Sequence, residues 1–319
     1  MGEGVSNITV SGNDDGIRLD KWFNRHYPKV PHIILEKALR KGYIRVDGKR
    51  VKSGHRVISG QIVRVPPLKE RSENTDKPKA KISPEKIAAL KDAIIYKDNN
   101  IIVINKPYGL AVQDGSKVKI SLDGMLDELK FGNDYRPKLV HRLDKDTSGI
   151  LLLARNSQSA AKLAEYFKNK DAQKIYWAVV AGLPKEKKGK INIALSKQDS
   201  GAGKEKIMAS QDGKNSITYY RVLDHAAREL SLVELIPVTG RTHQLRVHMA
   251  AIGHPIIGDG KYGGKKAFLN NVNNKMHLHA RKITLPEFLG KKDFTIEADL
   301  PGHIKETLDT YGFSPSSAD

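Results

Sequence analysis

The alternation of apolar and polar positions divides the chain into two unequal parts. Over residues 18–26 the side chains of Leu19, Trp22 and Phe23 share one face of a predicted helix. A second helix is predicted over 32–41, with Ile33, Ile34, Leu35, Ala38 and Leu39 on its apolar side and Gly42 in the C-cap position. A hairpin should follow, with strands at 43–46 and 49–51 joined by the Asp47-Gly48 turn. One more short strand, 62–65, ends at Pro66-Pro67. Residues 1–15 are polar and read as flexible, which leaves 16–65 as a small αβ unit. Residues 66–87 are rich in Pro, Lys, Glu and Ser without apolar periodicity, and read as a linker.

Residues 88–310 read as one larger α+β domain, with 311–319 as a C-terminal tail. Strands are predicted at 93–96, 101–104, 149–154, 174–181, 217–223, 230–236, 276–285 and 294–298. Helices are predicted at 157–170 and 243–252, the latter closed by Gly253 and Pro255. The strands are too seldom separated by helices for a doubly wound fold. A mixed, mainly antiparallel sheet with flanking helices is expected instead.

Charge adds a partner. Lys and Arg number 55 against 36 Asp and Glu, a formal charge of +19. Such an excess suits a polyanion, because each phosphate neutralised releases counterions. Within residues 1–70, fourteen Lys or Arg stand against seven Asp or Glu. Lys37, Arg40 and Lys41 end the second helix, and Arg45, Lys49 and Arg50 follow on the hairpin. A helix end and a hairpin that carry cations together can straddle a phosphate backbone, so these six are candidate RNA contacts. The absence of cysteine removes disulfides, thiolate catalysis and cysteine-based zinc sites. No apolar run approaches the roughly 20 residues of a membrane span. No basic segment followed by an apolar one opens the chain, so a cytoplasmic location without a membrane is expected.

Two runs carry candidate chemistry. The first is LVHRLDKDTSG, residues 139–149. Its Asp144 follows an apolar stretch and precedes a turn that feeds a strand, a place where a carboxylate can be fixed and still face a cleft. Arg142 and Lys145 beside it would favour the ionised form, which can act as nucleophile or base. An isolated aspartate there would more often only cap the turn. The second run, 238–263, brings Arg241, His243, Arg246, His248 and His254 close together in sequence. A cation from it could pair with Asp144. A metal site is the competing reading, built from His277, His279 and Asp259. It is disfavoured because His243 and His248 are five apart, which turns them roughly 140° from each other on a helix. Gly258, Gly260 and Gly263 spell GxGxxG, but without a βαβ unit around them. Tyr176, inside AQKIYWAVVAG, is either core packing or a platform for an extruded base.

HRLDKDTSG, KIYWAVVAG and GRTHQLRVHMAAIGHPIIGD together resemble, in order, the motifs of the RluA-type pseudouridine synthases over about residues 90–300. The segment VPHIILEKALRKGYIRVDGKRV resembles the small RNA-binding domain first known from ribosomal protein S-four. The domain order is most similar to the ribosomal large-subunit synthase C branch. The resemblance implies a catalytic domain with a bifurcated sheet, no cofactor and no metal. It implies Asp144 as the catalytic aspartate, Tyr176 packing on the base, and Arg246, with Arg241 second, pairing with Asp144. Arg142, Arg241 and His243 become candidate RNA contacts of the catalytic domain. The implied substrate is uridine in large-subunit (23S) ribosomal RNA, free or in an assembling subunit, and the implied enzyme is a monomer. The alternatives are another structured RNA, such as tRNA, or a noncatalytic RNA-binding or ribosome-assembly protein. One departure stands at Gln113, where many relatives carry histidine.

Overall fold

The computed structural model describes residues 4–68, 82–114, 120–199, 205–288 and 290–314. The chain forms two compact units, 1–81 and 82–319, and the division falls inside the segment expected to be a linker.

The first unit contains β1 (Ser6–Thr9), α1 (Leu19–His26), α2 (His32–Lys41), β2 (Arg45–Val46) and β3 (Ile62–Val65). Its sheet has the order β1-β3-β2, antiparallel throughout. Three expectations are corrected here. The N-terminus is not simply flexible, because Ser6–Thr9 adds a strand beside β3. The Asp47-Gly48 turn forms with positive φ at both residues, but β2 takes β3 as its ladder partner rather than 49–51. The reason is the side chain of Asp47, which accepts from the Ile62 amide at 2.8 Å and from Gln61 Nε2 at 3.0 Å. Finally, Ile33 is 78% exposed, and the buried face of α2 is Leu35, Ala38 and Leu39. These pack with Leu19, Trp22 and Phe23 of α1 and with Val63 and Val65 of β3.

The second unit runs α3 (Pro84–Asp92), β4 (Ile94–Lys97), β5 (Ile101–Lys106), α4 (Leu122–Met125), β6 (Lys138–Leu139), β7 (Ser148–Ala154), α5 (Ser157–Asn169) and β8 (Gln173–Ala181). It continues with β9 (Lys188–Asn192), β10 (Leu195–Asp199), β11 (Glu205–Ala209), β12 (Ile217–Ala226), β13 (Leu230–Pro237) and α6 (Gln244–Ala251). It closes with α7 (Gly260–Gly263), β14 (Leu278–Phe288), β15 (Lys291–Glu297) and α8 (Gly302–Thr310). Helix α3 begins inside the expected linker. The expected tail also starts in packed structure, since Phe313 is buried beside Ile304 and Leu308 of α8.

The main sheet has the order β4-β5-β7-β14-β8-β13-β12-β9, with β15 added to β14 and β6 to β7. It is mixed and mainly antiparallel, as expected, and the fold is α+β. Among the described strands of this sheet the one parallel pairing, β7 with β14, lasts for only two residue pairs, Ser148–His279 and Gly149–Ala280. From Lys282 onward β15 takes that side of β14, so the sheet forks. A bulge in β14 between Ala280 and Lys282 marks the fork. Gly149 makes the close approach possible. It has φ of +106°, and a Cβ there would lie 2.3 Å from the carbonyl oxygen of Ala280. Strands β5 and β7 read as continuous apolar runs because both of their faces are covered, with Ile101–Ile104 and Leu151–Ala154 fully buried.

Gly149→Ala should therefore open the fork beside Asp144. A clash with backbone and a left-handed φ add, and destabilisation on the order of 3 kcal/mol is expected, a fall in Tm of roughly 10 °C. A thermal melt unchanged from wild type would show that the strands tolerate wider spacing.

Candidate active site

Asp144 sits in the loop between β6 and β7, its side chain 22% exposed. Several bonds fix that loop. The Thr147 amide donates to the Asp144 carbonyl at 3.2 Å. The Lys145 carbonyl accepts from the Gly109 amide at 3.0 Å and from Lys106 Nζ at 3.1 Å. Lys106 is fully buried, and its amine also donates to the carbonyls of Pro107 and Leu110, at 3.0 and 2.9 Å. Burial lowers its pKa to about 7, against the attraction of Asp146 and Asp144. Three carbonyl acceptors match the three protons of an ammonium. Near the start of the loop, His141 Nε2 accepts from the Leu152 amide at 2.8 Å, and its ring lies against Phe167 with centroids 4.5 Å apart.

Arg246, on α6, holds one carboxylate tightly and faces a second. Its Nε and Nη2 donate to Asp259 at 2.8 and 2.7 Å, a bidentate pair in which both partners are buried. Its Nη1 lies 3.8 Å from Asp144 Oδ2. Burial opposes the charge of Arg246 most strongly, but the bonds and charge of Asp259 together with the charge of Asp144 outweigh it and raise the pKa above the ordinary arginine value. The Tyr262 ring covers the guanidinium at 5.0 Å, and its hydroxyl meets His243 Nδ1 at 2.7 Å. His243 Nε2 in turn lies 3.7 Å from Asp144. Burial, helped by Arg246 and Lys261 against Asp144 and Asp259, lowers the pKa of His243.

The loop before α6 is anchored by Gln244, which uses all four of its amide bonds. Its oxygen accepts from Thr239 Oγ1 at 2.6 Å and the Arg241 amide at 3.1 Å. Its nitrogen donates to the Ile217 carbonyl at 2.9 Å and Thr218 Oγ1 at 3.0 Å. His243 caps the helix in a left-handed conformation, φ 54°, rather than lying within it.

These parts surround a cleft of about 460 Å³ lined by Asp144, Tyr176, His243 and Arg246, with Arg142 and Arg241. That volume falls in the roughly 300–1,000 Å³ range of ligand sites. Tyr176, on β8 opposite Leu235 and Ala280, is half-buried. Burial, then the charge of Asp144, raises its phenol well above the ordinary value, so it keeps its proton. Arg142 and Arg241 are exposed. Of the two arginines weighed as the partner of Asp144, Arg246 is the one whose guanidinium reaches it.

The histidines of the metal reading are otherwise engaged. His277 bonds to the Lys275 carbonyl and Thr307 Oγ1, and His279 to Ser148 Oγ and the Ala298 carbonyl. His248 bonds to Ser216 and Thr218. Asp259 serves Arg246. The GxGxxG glycines surround α7, where the Asp259 side chain accepts from the Tyr262 amide. Among the described residues no cluster of three or more His, Cys, Asp or Glu could hold a metal ion, and no helix is long and apolar enough to cross a membrane.

In the first unit, Lys37, Arg40, Lys41, Lys49 and Arg50 are exposed. Arg45 is not free to the same degree, since it donates to the carbonyls of Gly42 and Gly48 and clasps the turn. Residues 115–119, in the loop after Gln113, lie outside the described residues. The sequence reading missed Lys106, Gln244 and Tyr262 and saw Asp259 only as a possible ligand. A signal existed for Lys106, a single cation closing the apolar run IIVIN.

Residues 100–251 match the family model described as RNA pseudouridylate synthase. The chain is 40% identical over 297 residues to a protein of Rickettsia felis named ribosomal large subunit pseudouridine synthase C, covering 91% of this chain and 95% of that one. It is 35% identical to the protein of the same name from Vibrio cholerae, covering 95% and 96%. Among solved structures, human RNA pseudouridylate synthase domain containing 4 matches with a TM-score of 0.59 and 28% identity, covering 72% of this chain and 96% of that one. The chain belongs to the RluA-type pseudouridine synthases. It is an RNA pseudouridine synthase, an isomerase.

The buried histidines make stability depend on pH. Burial lowers the pKa of His141 to about 3 and those of His277 and His279 to about 4. Unfolded, each titrates near 6.5. Below that value the unfolded chain binds protons that the folded chain refuses, so stability is full above pH about 6.5 and is lost as pH falls toward about 4. The slope should reach about 1.4 kcal/mol per pH unit for each histidine. Denaturant melts at successive pH values across this window measure it, and a flat profile would contradict the burial of these rings.

Proposed function

We propose that this enzyme converts uridine to pseudouridine in large-subunit (23S) ribosomal RNA, with Asp144 as nucleophile. The observation that carries the reading is the meeting of Asp144, Arg246 and Tyr176 in one cleft, from three segments far apart in the chain. The name shared by relatives that this chain covers almost end to end supports the large-subunit substrate.

In this reading the target base leaves its stack and enters the cleft, at a cost of a few kcal/mol. The Asp144 carboxylate attacks the nucleotide at the ribose anomeric carbon or at uracil C6. The glycosidic bond from N1 to C1′ breaks, the detached base turns in place, C5 joins C1′, and the bond to Asp144 breaks to free its carboxylate. The proton leaves C5, and N1 is protonated. Atoms balance, with no oxidant and no cofactor. Arg246 compensates the charge of Asp144, and His243 and Arg142 or Arg241 hold the neighbouring RNA. The protonated phenol of Tyr176 favours packing on the base over acting as a base itself. The basic first unit, an S-four-like module in this reading, grips RNA outside the cleft through Lys37, Arg40, Lys41, Lys49 and Arg50. Arg45 acts there by shaping the turn. The enzyme works as a cytoplasmic monomer.

Asp144→Asn should abolish tritium release from RNA labelled at uracil C5 and leave RNA binding within about threefold of wild type. Turnover near wild type would exclude Asp144 as nucleophile. Removing residues 1–66 should weaken binding to long RNA by about tenfold or more, on the order of 1.4 kcal/mol. Unchanged affinity would assign the first unit another role.

A further inference from the structure

The cleft holds a second set of cations that the reaction described above does not use. Lys168 and Lys170 stand at the C-terminal end of α5, and Lys174 lies near the start of β8. Lys174 is two residues before Tyr176, so the two side chains share a face of the strand. Lys168 and Lys170 are exposed, and Lys174 is half-buried. Helix geometry explains part of this, because cations are favoured at a helix C-terminus. It does not explain Lys174, which is on a strand. Burial lowers the pKa of its amine, which marks the cost of holding the charge there. The contact recorded for that amine is the face of Phe167, with the centroid at 5.9 Å, near the outer limit of a useful cation–π distance.

Among the described residues of the cleft no anion answers these charges. Among the described lining residues Asp144 is the only carboxylate, and Arg246 and His243 already face it. A half-buried ammonium and two exposed ones that line the same cleft suit a ligand that brings its own negative charge.

We propose that Lys168, Lys170 and Lys174 form a phosphate subsite, which holds the RNA backbone beside the extruded uridine while Arg142 and Arg241 contact the strand from separate loops. The inference rests on the isomerase reading of the cleft and adds a second hold on the strand. An extruded nucleotide stays joined to its neighbours through a phosphate on each side, so fixing the sugar for attack requires a grip on more than one of them. Lys174, beside Tyr176, is the member that positions the target nucleotide itself. Lys168 and Lys170 guide the strand at the rim.

The test uses the full-length enzyme with an unmodified in vitro transcript of large-subunit ribosomal RNA, labelled with tritium at uracil C5. Lys174→Met keeps the aliphatic stem and removes the charge. It should raise KM about tenfold and change kcat less than about threefold, and Lys174→Arg should restore most of the loss. The joint variant Lys168→Gln with Lys170→Gln should raise KM as well. Each lysine neutralised should also lessen the slope of log affinity against log salt by about 0.7, the value for a single-stranded phosphate contact. Unchanged KM and salt slope in both variants would overturn the subsite. So would a loss confined to kcat, which would make Lys174 part of the chemistry. If Lys174→Met fails to fold, the exposed pair still decides, because its KM and salt slope must move. Failure of the isomerase reading would look different: Asp144→Asn would keep turnover, whatever the lysines do.

Discussion

A guanidinium held by one buried carboxylate and shown to another is the interaction on which the site depends. Asp259 takes two of the donors of Arg246 and leaves Nη1 directed at Asp144. A buried arginine without such a partner would cost several kcal/mol, and removing one member of a buried pair typically costs about 3–5. The arrangement matters most if Asp144 becomes covalently bound. The carboxylate then loses its charge, and an arginine that depended on it alone would be stranded. With Asp259 in place, Arg246 stays compensated and fixed through the cycle. It needs no reorganisation when the adduct forms or breaks, which is the advantage of a preorganised site.

The other half of the site is held by backbone rather than by charge pairing. The Asp144 loop is tied to the turn after β5 through Lys106 and the Gly109 amide, and to β14 through the contact at Gly149. Both ties act within a few residues of Asp144 and leave its carboxylate free of them. The fork in the sheet follows from the same contact. Strands β7 and β14 must touch to seat the loop, and they must part again because β15 completes β14 beyond the bulge. Sheet shape and site position are therefore one constraint.

Much of this was legible in the chain. Long apolar runs located β5, β7, β8 and β13, and helical spacing located α1, α2 and α5. The polar strands were not seen. β9 (KGKIN), β10 (LSKQD) and β11 (EKIMA) lack an apolar run, because β9 lies at the sheet edge and the other two form a separate ribbon. Partnership was less legible than position. The Asp47-Gly48 turn was read correctly, but a carboxylate bonding to the Ile62 amide redirected the strand. Asp144 and Arg246 were found through their motifs. Asp259 is thirteen residues from Arg246, and nothing in its local sequence separates an ion-pair partner from a metal ligand. Only the fold supplies that distinction, by turning Arg246 toward it and giving His277 and His279 other partners.

The site also divides by stiffness. Arg246, Asp259, Gln244 and Lys106 are buried and bonded at nearly every polar atom, so their positions are set before RNA arrives. Arg142 and Arg241 are exposed side chains on loops whose backbones are tied down. The division fits a substrate that must be unstacked before it can react. Extrusion takes a nucleotide through several geometries, and long exposed cations can follow its phosphates through them. The reacting atoms, by contrast, tolerate little misplacement, since an error of about 1 Å can cost a hundredfold in rate. An enzyme for this task needs an adaptable rim over a rigid floor, and the fold builds the floor from one buried ion pair and its hydrogen-bonded neighbours and the rim from solvated arginines.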